Sequence, residues 1–115
     1  MAITATQAPP TVLGCQFASG AYLDTAVAAD ATITIGFTPR YVKVINVTDR
    51  IAIEWWKDAL SASTDTCVKT AAAGTVTLEV ANKGIVVTTG AFKISSNAAL
   101  AVLVSNKQLA WVAYS

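Results

Sequence analysis

Short strand-forming segments separated by turn residues recur about every 8 to 12 residues through most of this chain. Each segment is rich in β-branched or aromatic residues or alternates polar with apolar ones, and they are residues 32–37, 41–47, 51–56, 75–80, 85–88, 92–94 and 108–114. This spacing is typical of sandwiches and barrels and not of alternating strands and helices. We therefore predict an all-β fold, an antiparallel β-sandwich or jelly-roll.

Alternation within a segment predicts which side chains share a face of the strand. Residues 75–80 alternate most strictly, and we expect Val76, Leu78 and Val80 to face inward. Residues 41–47 and 51–56 flank a short polar turn and are predicted to form a hairpin.

Adjacent tryptophans in the second strand of that hairpin must point to opposite faces. We expect Trp55 to lie in the core and Trp56 to lie beside Glu54 on the other face. Two interpretations of Trp56 stay open: another subunit or a second sheet covers it, or it packs beneath a loop of its own chain.

Three further segments are less regular. Residues 57–73 are predicted to be mainly loop, with residues 61–65 exposed. Residues 98–104 permit either a short helical turn or extended structure. Residues 108–114 are apolar on both faces, which predicts a central strand or one that is buried on two sides.

The first 23 residues contain no Asp, Glu, Lys, Arg or His. We predict an extended N-terminal arm over residues 1–23 and a single β-sandwich domain over residues 24–115. An uncharged arm can lie along another protein without desolvating charged groups. The alternative interpretation of these residues is a disordered tail. The candidate contact residues of the arm are Thr4, Thr6, Gln7, Pro9, Pro10 and Val12.

Charge is scarce in the whole chain. Charged residues make up 13% of it, against roughly 25% in an ordinary soluble domain, so we expect part of the surface to be covered by copies of the chain or by a partner. The net charge of +1, with scattered basic residues, argues against a nucleic-acid partner. No apolar stretch approaches the ~20 residues that span a bilayer, and no signal peptide is recognisable, so we expect no membrane partner and synthesis in a cytoplasm.

Catalytic and metal-binding patterns are also missing from the sequence. There is no histidine, and the carboxylates occur singly on turns and strands, so we expect no enzyme activity, no cofactor and no metal site. Cys15 and Cys67 could form one disulfide, but in a cytoplasmic protein we expect two buried free thiols.

A resemblance lies between residue 37 and the C-terminus, about two thirds of the chain. The sequence FTPRYVKVINVTDR at residues 37–50, followed by IEWW at residues 53–56, resembles a recurrent pattern in small virion proteins of tailed bacteriophages. In those proteins, strands with glycine turns follow, and the chain ends in an aromatic strand similar to LAWVAY at residues 109–114.

Such proteins resemble capsid cement, or decoration, proteins, which sit as trimers on the head and clamp neighbouring subunits of the major capsid protein. The resemblance implies a structural role on the outside of a virion and a homotrimer, without a catalytic or ligand site. We place the candidate subunit interface at Trp56, Val112 and Tyr114. A tail or head-fibre component that attaches to the host surface, and a monomeric adaptor, are the alternatives.

Overall fold

The described strands of the computed structural model join one antiparallel sheet. The structure describes residues 16–23, 25, 29–60 and 64–115. The strands in these ranges are β1 (Phe17–Leu23), β2 (Ala31–Thr34), β3 (Tyr41–Asn46), β4 (Ile51–Trp56), β5 (Thr66–Thr70), β6 (Val76–Val80), β7 (Ile85–Thr88), β8 (Ala91–Ile94) and β9 (Gln108–Tyr114). Their order in the sheet is β1-β9-β3-β4-β5-β7-β8-β2, and β6 pairs with β5. The prediction of an all-β antiparallel fold is confirmed.

The sheet curls around its core, so that strands distant in its order face each other as in a sandwich. Phe92 on β8 and Trp111 on β9 are separated by four strands in the sheet, yet their rings meet edge to face with centroids 5.5 Å apart. The largest fully buried side chains include Trp55, Phe92 and Ile53. The core is therefore enclosed by two parts of the same sheet.

The predicted hairpin of β3 and β4 is confirmed. The two strands pair from Tyr41 with Trp56 to Asn46 with Ile51. Buried Asn46 stabilises the turn, since its side-chain oxygen accepts a hydrogen bond from the backbone N–H of Asp49 at 3.0 Å. Trp55 is fully buried, as expected.

The prediction that the apolar face of β6 points inward is wrong. Val76, Leu78 and Val80 are 65%, 61% and 50% exposed, so this face points outward. The pairing with β5 explains this, because it sets Leu78 opposite Val68 on the outward side and Glu79 opposite Cys67 on the inward side. Alternation shows which residues share a face, but it does not show which face is buried.

Strand β5 lies within residues 57–73, for which the sequence predicts mainly loop. Its sequence, TCVKT, contains few large apolar residues. Pairing with β4, β6 and β7 makes it a strand, and its second residue, Cys67, is a fully buried free thiol. Tertiary pairing here outweighs weak local propensity.

The predicted arm and the sheet overlap. Residues 17–23 form β1, which pairs with β9 along its whole length, so the sheet begins before the predicted domain boundary at residue 24. Gly20 makes this possible, because a Cβ there would lie 2.7 Å from the ring of Trp111. The candidate arm residues from Thr4 to Val12 lie outside the described residues.

Two C-terminal segments complete the core. Residues 98–104 form neither strand nor helix, but turns that bury Leu100, Val102 and Leu103. Strand β9 is central, between β1 and β3. Only one of its faces is fully covered, since Leu109 and Ala113 are buried while Tyr114 is 43% exposed.

Candidate interaction surface

The side of the sheet that points away from the core forms a broad apolar surface, which we call the outer face. It extends over six neighbouring strands, in the order β1, β9, β3, β4, β5 and β6. At roughly 4.8 Å per strand, the first and sixth strands lie about 24 Å apart. Its residues are Phe17, Ser19, Ala21, Leu23, Gln108, Ala110, Val112, Tyr114, Tyr41, Lys43, Ile45, Ala52, Glu54, Trp56, Val68, Thr70, Val76, Leu78 and Val80.

Four aromatic side chains cross one end of the outer face in a row, which we call the aromatic ladder. Phe17, Tyr114, Tyr41 and Trp56 are direct cross-strand neighbours on β1, β9, β3 and β4. Successive ring centroids are 5.2, 5.8 and 5.6 Å apart, and all three pairs are tilted. Spacings of this size are those of favourable aromatic pairs, so the ladder is a fixed surface of contacting rings.

The ladder is open to solvent. Phe17 is 57% exposed, Tyr114 is 43% exposed and Trp56 is 38% exposed. Contiguous exposed apolar residues on a small protein mark a site of interaction, and aromatic residues are enriched in the centres of protein interfaces. The chemistry of the ladder therefore suits contact with another protein surface.

One hydrogen bond fixes the middle of the ladder. The Tyr41 hydroxyl donates to Oε2 of Glu54 at 2.6 Å. Burial, together with the hydrogen bond and the charge of Glu54, raises the pKa of Tyr41 well above its ordinary value. Tyr41 thus stays a neutral donor at physiological pH, and the Glu54 carboxylate is held against the sheet beside its cross-strand neighbour Lys43.

Polar groups border the ladder just before β3 and just after β4. Arg40 forms an exposed ion pair with Asp58, with 3.4 Å between Nη2 and Oδ2. The backbone N–H of Arg40 also donates to the Tyr114 carbonyl at 2.7 Å, which ties this pair to the end of β9. An apolar centre with a polar border is the usual organisation of a protein interface.

The structure brings the three predicted interface residues onto this one face. Trp56 and Tyr114 belong to the ladder, and Val112 lies beside it, opposite Lys43. Trp56 rests against Tyr41 and stays partly exposed.

Two members of the ladder, Phe17 and Tyr41, are not among the predicted interface residues. Phe17 falls within the predicted arm, where no pairing can be read from the sequence. Tyr41 lies on the predicted hairpin, but the predicted turn at residues 48–50 would set it opposite Lys57. In the structure the turn comprises residues 47–50, which sets Tyr41 opposite Trp56.

The described residues offer little else that could bind or react. No group of three or more His, Cys, Asp or Glu side chains among them could hold a metal ion. Burial, and then the charge of Glu79, raises the pKa of the Cys67 thiol to about 12, so this thiol is protonated and unreactive. Within the described ranges, no helix is long and apolar enough to cross a membrane.

Comparison of the chain with protein-family models, with curated proteins and with solved structures finds no match.

Proposed function

We propose that this protein is a structural virion protein of a tailed bacteriophage, which binds the outside of the capsid and bridges neighbouring subunits of the major capsid protein. The aromatic ladder is the observation that carries the proposal. It is a preformed row of four rings, of which Phe17, Tyr114 and Trp56 are exposed, and such a row gives binding energy with little loss of side-chain entropy. The resemblance to small virion proteins between residue 37 and the C-terminus suggests the capsid as the assembly.

A shell under internal pressure opens first where its subunits meet. A protein that covers such a boundary adds buried area to the closed state only, and so stabilises it. The outer face suits this task, because its outward charges are limited to Lys43 and Glu54, which lie opposite each other. Little charge would have to be desolvated on binding.

In this proposal the protein acts as a homotrimer whose threefold contact includes Trp56, Val112 and Tyr114. Around a threefold axis every subunit presents the same residues to the axis, so the rows of the three chains come close together there. The capsid then contacts the part of the outer face that lies outside this threefold contact, together with the candidate arm residues from Thr4 to Val12. The protein would be assembled onto heads in the host cytoplasm.

Heating heads with and without the protein tests the proposal. Heads to which the protein has been added should release their genome at a higher temperature than bare heads, measured by the fluorescence of a DNA-binding dye. Equal release temperatures would reject the decoration role.

Charge substitutions test the ladder separately. Trp56→Lys and Tyr114→Lys should lower the solution mass from trimer towards monomer in light scattering coupled to size exclusion. Val47→Lys is the matched control, because Val47 is 48% exposed but follows β3 outside the ladder. A wild-type monomer, or an equal effect of all three substitutions, would reject the threefold contact.

A further inference from the structure

Strand β6 presents an unprotected sheet edge at the opposite end of the outer face from β1. It pairs with β5 on one side, and within the described part of the chain no strand pairs with its other side. Its outward side chains, Val76, Leu78 and Val80, are the most exposed run of large apolar residues on any described strand. Proteins usually protect such an edge with outward charges, proline or a bulge.

Strand β6 has no outward charge, no proline and no bulge, and the one protective feature that it carries is an inward charge. Its sequence, VTLEV, has one charge, at Glu79. That side chain points to the inward side, is 14% exposed, and forms an ion pair with Lys83 at 3.5 Å. Because this ion pair neutralises the charge of Glu79, the edge of β6 is accessible to another strand as far as the described residues are concerned.

We propose that β6 pairs in antiparallel fashion with β6 of a second copy of this chain, across a two-fold axis at Leu78. In this register Leu78 lies opposite Leu78 of the partner subunit, and Val76 lies opposite Val80 of the partner subunit. The apolar side chains of both strands then form one continuous patch, because residues directly opposite each other share a face.

The other face of this pairing is also compatible with a second copy. Thr77 lies opposite Glu79 of the partner subunit, so a hydroxyl donor meets a carboxylate and no like charges oppose each other. The strand is thus complementary to itself, as a two-fold contact requires.

The size of the contact sets its strength. Strand β6 is five residues long, whereas a stable interface uses about 800 Å² per partner. The pairing is therefore weak in dilute solution and gains strength where many copies are held close together on one surface.

This inference rests on β6 alone and does not depend on the proposed function.

Substitutions that place a positive or a negative charge at the two-fold axis test the pairing. Sedimentation velocity of the full chain, from about 1 μM to about 1 mM, should show a concentration-dependent doubling of mass. Leu78→Lys and Leu78→Glu should each weaken the doubling at least about tenfold, because like charges then lie directly opposite each other. An equimolar mixture of the two variants should restore it, since Lys and Glu then meet.

Two controls make the result specific. Leu78 is 61% exposed, so both variants should keep the wild-type melting temperature. Thr88→Lys adds the same charge at an exposed position on β7 and should leave the doubling unchanged. If the chain also forms trimers through the ladder, the association through β6 starts from trimers, and the Leu78 variants still act on this step alone.

Two results would overturn the inference. One is a wild-type mass that does not change with concentration. The other is a mixture of the Leu78 variants that associates no better than either variant alone, which would exclude the register about Leu78.

Discussion

Replacement of Gly84 by alanine should destabilise the fold strongly. A Cβ at residue 84 would lie 2.4, 2.5 and 2.6 Å from the backbone C, O and N atoms of Thr66. Ordinary contacts begin at 3.4 Å, so the start of β7 and the backbone of β5 would have to separate by about 1 Å. Backbone atoms cannot rotate away as a flexible side chain can, and overpacking of this kind costs about 1–3 kcal/mol.

Movement of Gly84 would also disturb its contacts with Ser95. The Gly84 N–H donates to Oγ of Ser95 at 3.2 Å, and the Gly84 carbonyl accepts from the Ser95 hydroxyl and the Ser95 N–H, each at 3.0 Å. Each buried hydrogen bond contributes about 1 kcal/mol. Because the overpacking and the weakened hydrogen bonds act together, we expect Gly84→Ala to lower the free energy of unfolding by about 3 kcal/mol.

Urea unfolding followed by tryptophan fluorescence measures this loss, which corresponds to a fall in melting temperature of about 12 °C. Gly36→Ala is the matched control. Gly36 has a φ of +85°, and a Cβ at residue 36 would have no atom within 4 Å, so its cost comes from the left-handed backbone alone, about 1–2 kcal/mol. A loss at Gly84 that is no larger than the loss at Gly36 would refute the close approach of β7 to β5.

Individual side chains give three more predictions. Trp55→Ala should lower the free energy of unfolding by about 3–5 kcal/mol because Trp55 is fully buried, whereas Trp56→Ala should lower it by about 1 kcal/mol. Equal losses of unfolding free energy in urea titrations would contradict the faces assigned to the two tryptophans. The hydrogen bond from the Ser96 N–H lowers the pKa of Asp30 in the folded protein. The Asp30 carboxylate therefore stabilises the fold above its ordinary pKa of 3.8, and this contribution is lost as the pH falls through the lower pKa of the folded state. Asp30→Asn should therefore flatten the fall in the urea midpoint between neutral and acidic pH. In a Cys15→Ser background, Cys67 should react with a thiol reagent much more slowly in the native state than in urea, and equal rates would show that it is not buried.

Sequence patterns locate most strands because the segments from residue 31 to residue 56 and from residue 85 onwards combine local propensity with clear turns. The bounds of β4 and β9 agree with the predicted segments. Where strand formation depends on a neighbour, the sequence is insufficient. The TCVKT sequence of β5 has too little apolar character to be recognised alone, and β1 is indistinguishable in sequence from an uncharged arm.

The candidate surface is only partly predictable for a related reason. Alternation in β4 assigns Trp56 to the outside because its adjacent tryptophan has to be inside. In β6 the same argument fails, because it assumes that the apolar face is the buried one. That assumption holds for a protein whose surface meets only water, and the outward apolar face of β6 departs from it.

The distribution of charge explains why a chain with so few charged residues has this particular surface. None of the ion pairs in the described structure involves a residue of the outer face. They join Arg40 to Asp58, Lys83 to Glu79, Lys93 to Asp30 and Asp65, and Lys107 to Asp49. The six strands of the outer face carry only Lys43 and Glu54 as outward charges, and these are cross-strand neighbours. Their opposite charges largely offset each other, so the outer face has almost no net charge to repel another apolar surface. The scarcity of charge is thus concentrated on one side of the sheet, where both the aromatic ladder and β6 lie, and such a side is physically suited to contact with another apolar surface.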